Sequence, residues 1–307
     1  MKPPLYAVMG PTASGKTALA VALAERLNAE IVSCDSAAVF QGLDVGTAKP
    51  TADEQARVPH HLIDVIAPTQ QWSAAEFSDA ADAVIARLWS QGKAAVLCGG
   101  TGLWMRALVR GIFRAPDIDP ALRERIRSEL EALGAQVMHE RLRAVDPIAA
   151  ERIASNDPQR IGRALEVFHQ SGRPISDLQA AHGFAERRYA LIGVAPQWPR
   201  DVLRERVAAR TRRMYAHGLL DEVERCLDQG MPQDAPGLRV IGYRDAVAHL
   251  RGDLTQEEAI QATITSTRRY AKRQVNWFNH EPDIEWVPPD LAVDAVLARL
   301  RGRAQEV

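Results

Sequence analysis

Short apolar runs alternate along most of this chain with stretches whose apolar residues recur at three- and four-residue spacing. Leu5–Met9, Ile31–Cys34, His61–Val65 and Ala94–Cys98 read as strands, with Tyr189–Val194 and Ile284–Val287 as later ones. Thr17–Leu27 carries its apolar residues at i, i+3 and i+4 and reads as a helix, as does the stretch from Ser73 to Trp89. Strands and helices in strict alternation pack as a parallel sheet flanked by helices, so the expected fold class is α/β.

The alternation breaks between Ile112 and Arg187. Asp119–Leu133, Ala135–Val145, Ala149–Ala154 and Pro158–Ser171 all carry helical patterns, with no strand among them. A helical excursion of this kind implies an inserted all-helical subdomain over residues 113–186, bordered near Pro116 and Gly183. Residues 1–112 and 187–307 then form the core. No internal repeat, low-complexity tract or heptad run interrupts this reading.

Composition narrows the class without naming a partner. The 307 residues are 46% hydrophobic and 25% charged, which is ordinary for a globular chain. The formal net charge is −1, so any nucleic-acid binding must come from local basic patches. Cys34, Cys98 and Cys226 form no CxxC pair, which excludes a structural zinc knuckle and fits a reducing compartment. The opening MKPPLYAVMG lacks the long apolar run of a signal peptide, and no stretch is long enough to cross a bilayer. A cytoplasmic location is expected, with no membrane partner.

Chemistry enters at Gly10-Pro11-Thr12-Ala13-Ser14-Gly15-Lys16-Thr17, which matches G-x-x-x-x-G-K-[ST] directly after one strand and directly before a helix. Glycines let the backbone wrap a phosphate chain with its amides as donors. Lys16 adds a point charge, and the Thr17 hydroxyl is suited to holding Mg²⁺. A di- or triphosphate is therefore expected here, in a P-loop NTPase-like fold. A P-loop ATPase also needs an acidic residue at the end of a neighbouring strand. Ala94–Cys98 runs instead into Gly99-Gly100, and Asp64 lacks the usual apolar run before it. The loop looks equipped to bind phosphates rather than to drive a motor or a switch.

Asp35 follows the second strand and belongs at the carboxyl edge of the sheet, where the phosphate loop also opens. On pattern alone it is equally a general base, a metal ligand or a helix cap. Thr101, at the same edge, reads alternatively as the cap of the helix carrying Trp104 and Met105.

Taken together, GPTASGKT (10–17), DSAAVFQGLDVGTAKP (35–50), PHHLIDV (59–65), SAAEF (73–77), GGTGLWMRAL (99–108), DPQRIGRALEV (157–167), VIGYRD (240–245) and AKRQVNWF (271–278) resemble the bacterial tRNA dimethylallyltransferases, also called tRNA isopentenyltransferases. The similar segments span nearly the whole chain in order. Phe40, Trp72 and Trp104 depart from the pattern, standing where the family more often has tyrosine, so contacts through a hydroxyl are lost there while aromatic stacking is kept.

The resemblance implies transfer of a dimethylallyl group from dimethylallyl diphosphate to N6 of adenosine 37 in tRNAs that read codons beginning with U. Lys16 and Mg²⁺ near Thr17 would hold the diphosphate, Asp35 would take the N6 proton, and Thr101 would bond near the transferred group. Arg210 is either a further phosphate clamp or part of a solvated helix face. By the same resemblance Asp35, Ser36, Ala37, Ala38, Thr101, Arg123, Gln159, Arg160, Ile161, Gly162, Arg163, Val240, Ile241, Gly242, Tyr243, Arg244 and Asp245 contact the tRNA. The target base must be flipped out of the anticodon loop to be reached.

Local charge agrees with an RNA partner. Eight arginines (Arg187, Arg188, Arg200, Arg204, Arg206, Arg210, Arg212 and Arg213) face only Asp201 and Glu205 within that segment. Arg268, Arg269, Lys272 and Arg273 form a second cluster ahead of Trp277 and Phe278, two aromatics that read as core. Nothing demands an oligomer, so a monomer is expected. Rival readings are a P-loop small-molecule kinase, a prenyltransferase for free adenine nucleotides, and a nucleotide-sensing RNA-binding protein.

Overall fold

The computed structural model describes residues 4–113, 117–182 and 187–305. In chain order the elements begin with β1 (Leu5–Met9), α1 (Lys16–Leu27), β2 (Ala29–Cys34), α2 (Ala52–Arg57), β3 (His60–His61), α3 (Ala74–Ser90), β4 (Ala94–Gly99) and α4 (Gly102–Arg110). Four helices follow: α5 (Pro120–Val145), α6 (Pro147–Arg152), α7 (Pro158–Ser171) and α8 (Ile175–His182). The chain continues with β5 (Leu191–Pro196), α9 (Arg200–Ala216), α10 (Leu219–Asp228), a 3₁₀ turn (Pro236–Arg239), α11 (Tyr243–Leu250), α12 (Gln256–Phe278), β6 (Ile284–Val287) and α13 (Val293–Ala304).

The six strands form one sheet in the order β3-β2-β4-β1-β5-β6, every pair parallel. Parallel strands covered on both faces need apolar residues on both sides, and β2 and β5 are buried along their whole length. Ala20, Val21 and Ala24 of α1 and Val296, Leu297 and Leu300 of α13 pack on Val8, Ile31, Val96 and Val194 of the sheet. Each large apolar side chain so buried contributes about 1.5–3 kcal/mol. The strand order matters for the site: β4 lies between β1 and β2, so the carboxyl ends of all three open side by side.

Two compact units emerge. One is Met1–Val109 with Arg188–Val307, which holds the sheet; the other is Arg110–Arg187. Pro116 and Gly183, the expected borders, lie outside the described residues. Three helices of the second unit begin alike, with an aspartate cap before a proline: Asp119-Pro120, Asp146-Pro147 and Asp157-Pro158. Each carboxylate accepts an orphan amide of the first turn, and the proline has no amide to leave unpaired. The unit closes on its own core of Ile126, Met138, Leu142, Ile161 and Leu165.

The structure corrects several boundaries. The expected strand His61–Val65 shrinks to His60–His61, because Leu62 and Asp64 adopt positive φ (62° and 54°) and leave the ladder. Asp64 is thus a loop residue, and its carboxylate pairs with Lys49. Asp119–Leu133 and Ala135–Val145 run on as α5, kinked at Gly134 (φ 80°, ψ 159°). Ala149–Ala154 starts two residues earlier, at Pro147. The strand read at Tyr189–Val194 begins at Leu191, while the Tyr189 hydroxyl bonds Asp82. The short helices α2 and α8 went unread, although Thr51 and Glu54 form a capping box that signals α2.

Candidate active site

A cavity of about 870 Å³ opens at the carboxyl ends of β1, β4 and β2, lined in part by Lys16, Thr17, Asp35, Cys98 and Arg210. Each wall has a local cause. The loop from Gly10 to Thr17 leaves β1 and enters α1, with Ala13 at φ 64° and Gly15 at φ 88°. From outside, Trp198 Nε1 donates to the Ser14 carbonyl at 2.8 Å and Arg206 Nε to the Ala13 carbonyl at 2.8 Å. The Arg206 guanidinium stacks 4.2 Å from the Trp198 ring, so the pair acts as one brace. The Ser14 hydroxyl is buried with no hydrogen-bond partner among the described residues.

Asp35 emerges from the end of β2. Its Oδ1 accepts from the Ala37 amide at 3.0 Å, which fixes a turn rather than a helix end. Thr101 does cap α4, but through its carbonyl, which accepts from the Trp104 and Met105 amides at 3.0 and 3.1 Å. Its hydroxyl is left to accept from the Ser36 amide at 3.0 Å and to meet the Tyr270 side chain. Asp35, Ser36, Ala37 and Ala38 all line the cavity.

Charge in the cavity is concentrated. Burial pulls the Lys16 ammonium below its ordinary range, with the Asp35 carboxylate opposing. Burial likewise lowers Arg210, again against Asp35. Arg210 Nη1 lies 3.4 Å from Thr12 Oγ1, so this guanidinium turns inward and the solvated-face alternative does not hold for it. Burial pushes the Cys98 thiol up to about 12. Such a site suits an anion: Lys16 and Arg210 stand beside a loop of backbone amides, and Lys49, Arg213, Arg239 and Arg273 also line the cavity, against the carboxylates of Asp35 and Glu54.

Among the described residues no group of three His, Cys, Asp or Glu side chains could hold a metal. The Thr17 hydroxyl is a hard oxygen donor in the phosphate loop. It fits a Mg²⁺ ion that takes the rest of its shell from phosphate oxygens and water.

Other expected residues fall elsewhere. Arg123, Gln159, Arg160 and Arg163 are exposed on α5 and α7 of the helical unit, whereas Ile161 and Gly162 are buried there, Gly162 against Leu130. Val240 and Ile241 line the cavity, and Arg244 is exposed. Gly242, Tyr243 and Asp245 are inside the fold, Asp245 accepting from the Thr263 hydroxyl. A side-chain contact with RNA from Ile161, Tyr243 or Asp245 does not match this structure; these residues shape the segments that carry their neighbours.

The basic face of residues 187–213 is smaller than its arginine count. Arg188 binds Asp82, the Ser78 hydroxyl and the Leu108 carbonyl; Arg206 and Arg210 serve the loop; Arg212 pairs with Glu257. Phe278 is core, and the Trp277 ring lies under Arg106 at 4.4 Å. Phe77 stacks on Trp104 and Trp72 meets both edge-on, which gives the aromatic rings at two of the three variant positions a packing role that needs no hydroxyl.

Gln274 and Glu222 escaped the sequence reading. Gln274 accepts from the Thr12 amide at 2.9 Å and donates to the Gly100 carbonyl at 2.9 Å. A Cβ at Gly100 would sit 2.1 Å from the Gln274 Nε2, so any larger residue there would displace this amide from its hydrogen bond. The signal was available: Ala271, Gln274 and Phe278 share one buried stripe of α12 at helical spacing.

Comparison with known proteins agrees with this geometry. The IPP transferase family pattern matches residues 38–281. The tRNA dimethylallyltransferase of Anaeromyxobacter dehalogenans is 49% identical over 298 residues, covering 96% of each chain. The tRNA dimethylallyltransferase 1 of Trichlorobacter lovleyi is 46% identical over 287 residues, covering 94% of each. Among solved structures, the full-length tRNA isopentenylpyrophosphate transferase of Bacillus halodurans superposes with a TM-score of 0.71 at 34% identity over 99% of both chains. A phosphate loop, an aspartate two strands away and a match over most of the sequence agree: the chain belongs to the IPP transferase family.

Proposed function

We propose that this chain transfers the dimethylallyl group of dimethylallyl diphosphate to N6 of adenosine 37, beside the anticodon, in tRNAs reading codons that begin with U. One observation carries the reading: Lys16 and Asp35 share a single cavity, so an anionic leaving group and a proton acceptor are presented to the same reacting centre. The diphosphate would lie in the loop Gly10–Thr17, held by Lys16 and Arg210. As the allylic carbon–oxygen bond breaks, its electron pair leaves with the diphosphate, whose growing charge these cations stabilise. The N6 lone pair forms the new carbon–nitrogen bond, and its proton passes to the Asp35 carboxylate. A bound Mg²⁺, held by Thr17, would supply further neutralisation of the leaving group.

The exposed arginines of the helical unit Arg110–Arg187 support a role for that unit in gripping the anticodon stem. No described helix is long and apolar enough to cross a membrane, in keeping with work on tRNA in the cytoplasm. One assay tests the reading: labelled dimethylallyl diphosphate is offered unmodified tRNA and free AMP side by side. Label is expected in tRNA alone, and label in AMP alone or in neither overturns the proposal.

A further inference from the structure

Glu222 is a charged side chain, 2% exposed, that the reaction as derived above does not use. It reaches from α10 to the loop after Leu43. Its Oε2 accepts from the Asp44 amide at 2.8 Å and the Val45 amide at 3.0 Å, and its Oε1 from the Gly46 amide at 3.4 Å. The Tyr243 hydroxyl, from the start of α11, donates to the same Oε1, and the Gly46 amide also donates to the Tyr243 oxygen at 3.0 Å. Three successive amides converging on one carboxylate form an anion nest whose anion is supplied from within the chain. The packing is as specific as the bonding, because a Cβ on Gly46 would lie 2.4 Å from the Tyr243 ring.

The loop held this way is a wall of the cavity. Gly46, Thr47, Ala48 and Lys49 line it, and so do Val240 and Ile241 just ahead of Tyr243. One buried carboxylate therefore ties together two cavity-lining segments that lie far apart in sequence. We infer that Glu222 is a positioning residue for the transfer reaction: it locks the 44–46 loop to α10 and α11 and so fixes the wall that faces the phosphate loop. The inference rests on the proposed prenyl transfer for its kinetic consequence, but the lock itself is a property of the fold.

The experiment compares wild type with Glu222→Gln and Tyr243→Phe, each as the full chain. The glutamine keeps the shape but offers one acceptor oxygen and a donor NH₂ where the amides and the Tyr243 hydroxyl use two acceptor oxygens; the phenylalanine removes a single hydroxyl. Hydrogen exchange should show faster exchange of the Asp44, Val45 and Gly46 amides in Glu222→Gln, with the amides of β1 and β4 unchanged. Turnover with dimethylallyl diphosphate and tRNA should fall roughly ten- to hundredfold, the scale on which a misplaced wall acts, while tRNA affinity stays within about twofold. Tyr243→Phe should show the same pattern in weaker form, and it decides the matter if Glu222→Gln fails to fold. Unchanged exchange at these three amides overturns the inference, as does freed exchange with wild-type turnover. Absence of prenyl transfer by the wild type would sink the proposed function instead, leaving the exchange result to judge the lock.

Discussion

Gln274 and Thr12, 262 residues apart in sequence, are joined by a 2.9 Å hydrogen bond from the Thr12 amide to the Gln274 Oε1. The other end of the same side chain holds the Gly100 carbonyl, next to Thr101. A single amide thereby sets the distance between the phosphate loop and the turn that presents Thr101. Replacing it with alanine leaves the buried Gly100 carbonyl unpaired, at a cost of about 1–3 kcal/mol, and frees the half-buried Thr12 amide. Gln274→Ala should accordingly lower stability in denaturant titration and reduce turnover together. Wild-type values for both would show that the bridge is dispensable.

Asp35→Asn offers a cleaner separation of chemistry from architecture. The asparagine carbonyl can still accept from the Ala37 amide, so the turn after β2 should survive. The proton acceptor is lost, and turnover should drop roughly a hundredfold or more, the usual scale for a general base. Binding of tRNA, followed by fluorescence anisotropy, should be unaffected. Near-normal turnover would remove Asp35 from the chemistry.

Lys16 predicts a pH dependence with a definite sign. Burial lowers its pKa from the ordinary 10.5, because the charged form is penalised. A bound diphosphate favours that charged form and raises the pKa again. Affinity for inorganic diphosphate should therefore weaken as pH rises through the lowered value, and in that window binding should take up a proton. Calorimetry in two buffers of different ionisation enthalpy measures the uptake directly. Lys16→Ala should show weaker binding without the proton, and a wild type with no uptake anywhere on the alkaline side would refute this account.

Arg160 and Arg163 lie on exposed turns of α7, paired with Asp157 at 3.5 Å and Glu166 at 3.3 Å. Exposed pairs of this kind contribute about 0–1 kcal/mol, so they do not prevent either guanidinium from meeting a phosphate. The double change Arg160→Glu and Arg163→Glu should weaken tRNA binding and flatten its salt dependence, since fewer counterions are released. Circular dichroism guards against unfolding. A folded double variant with unchanged tRNA affinity would rule this helix out as an RNA contact.

What could be read from the chain and what could not follow from where each signal resides. The phosphate loop, Asp35 and Thr101 were legible because each follows an apolar strand, and a parallel sheet sends all its carboxyl ends to one edge. Asp64 was misplaced because Leu62, Ile63 and Val65 imitate a continuation of the strand begun at His60–His61, while the positive φ at Leu62 and Asp64 leaves no mark in composition. Arginine counting overstated the basic face, since the partners of Arg188 and Arg212 lie 106 and 45 residues away. Glu222 was invisible for the same reason: its three amide donors are nearly 180 residues upstream, and nothing in an ordinary amphipathic helix announces them.

The Cys98 thiol carries a consequence for the enzyme's own survival. An allylic diphosphate is an alkylating agent, and it would occupy a cavity whose wall includes a sulfur atom. Only thiolate attacks such a carbon at a useful rate. Burial pushes the thiol up to about 12, so the thiolate is strongly disfavoured at neutral pH. Burial of this one side chain therefore disfavours the form of it that an alkylating donor would meet.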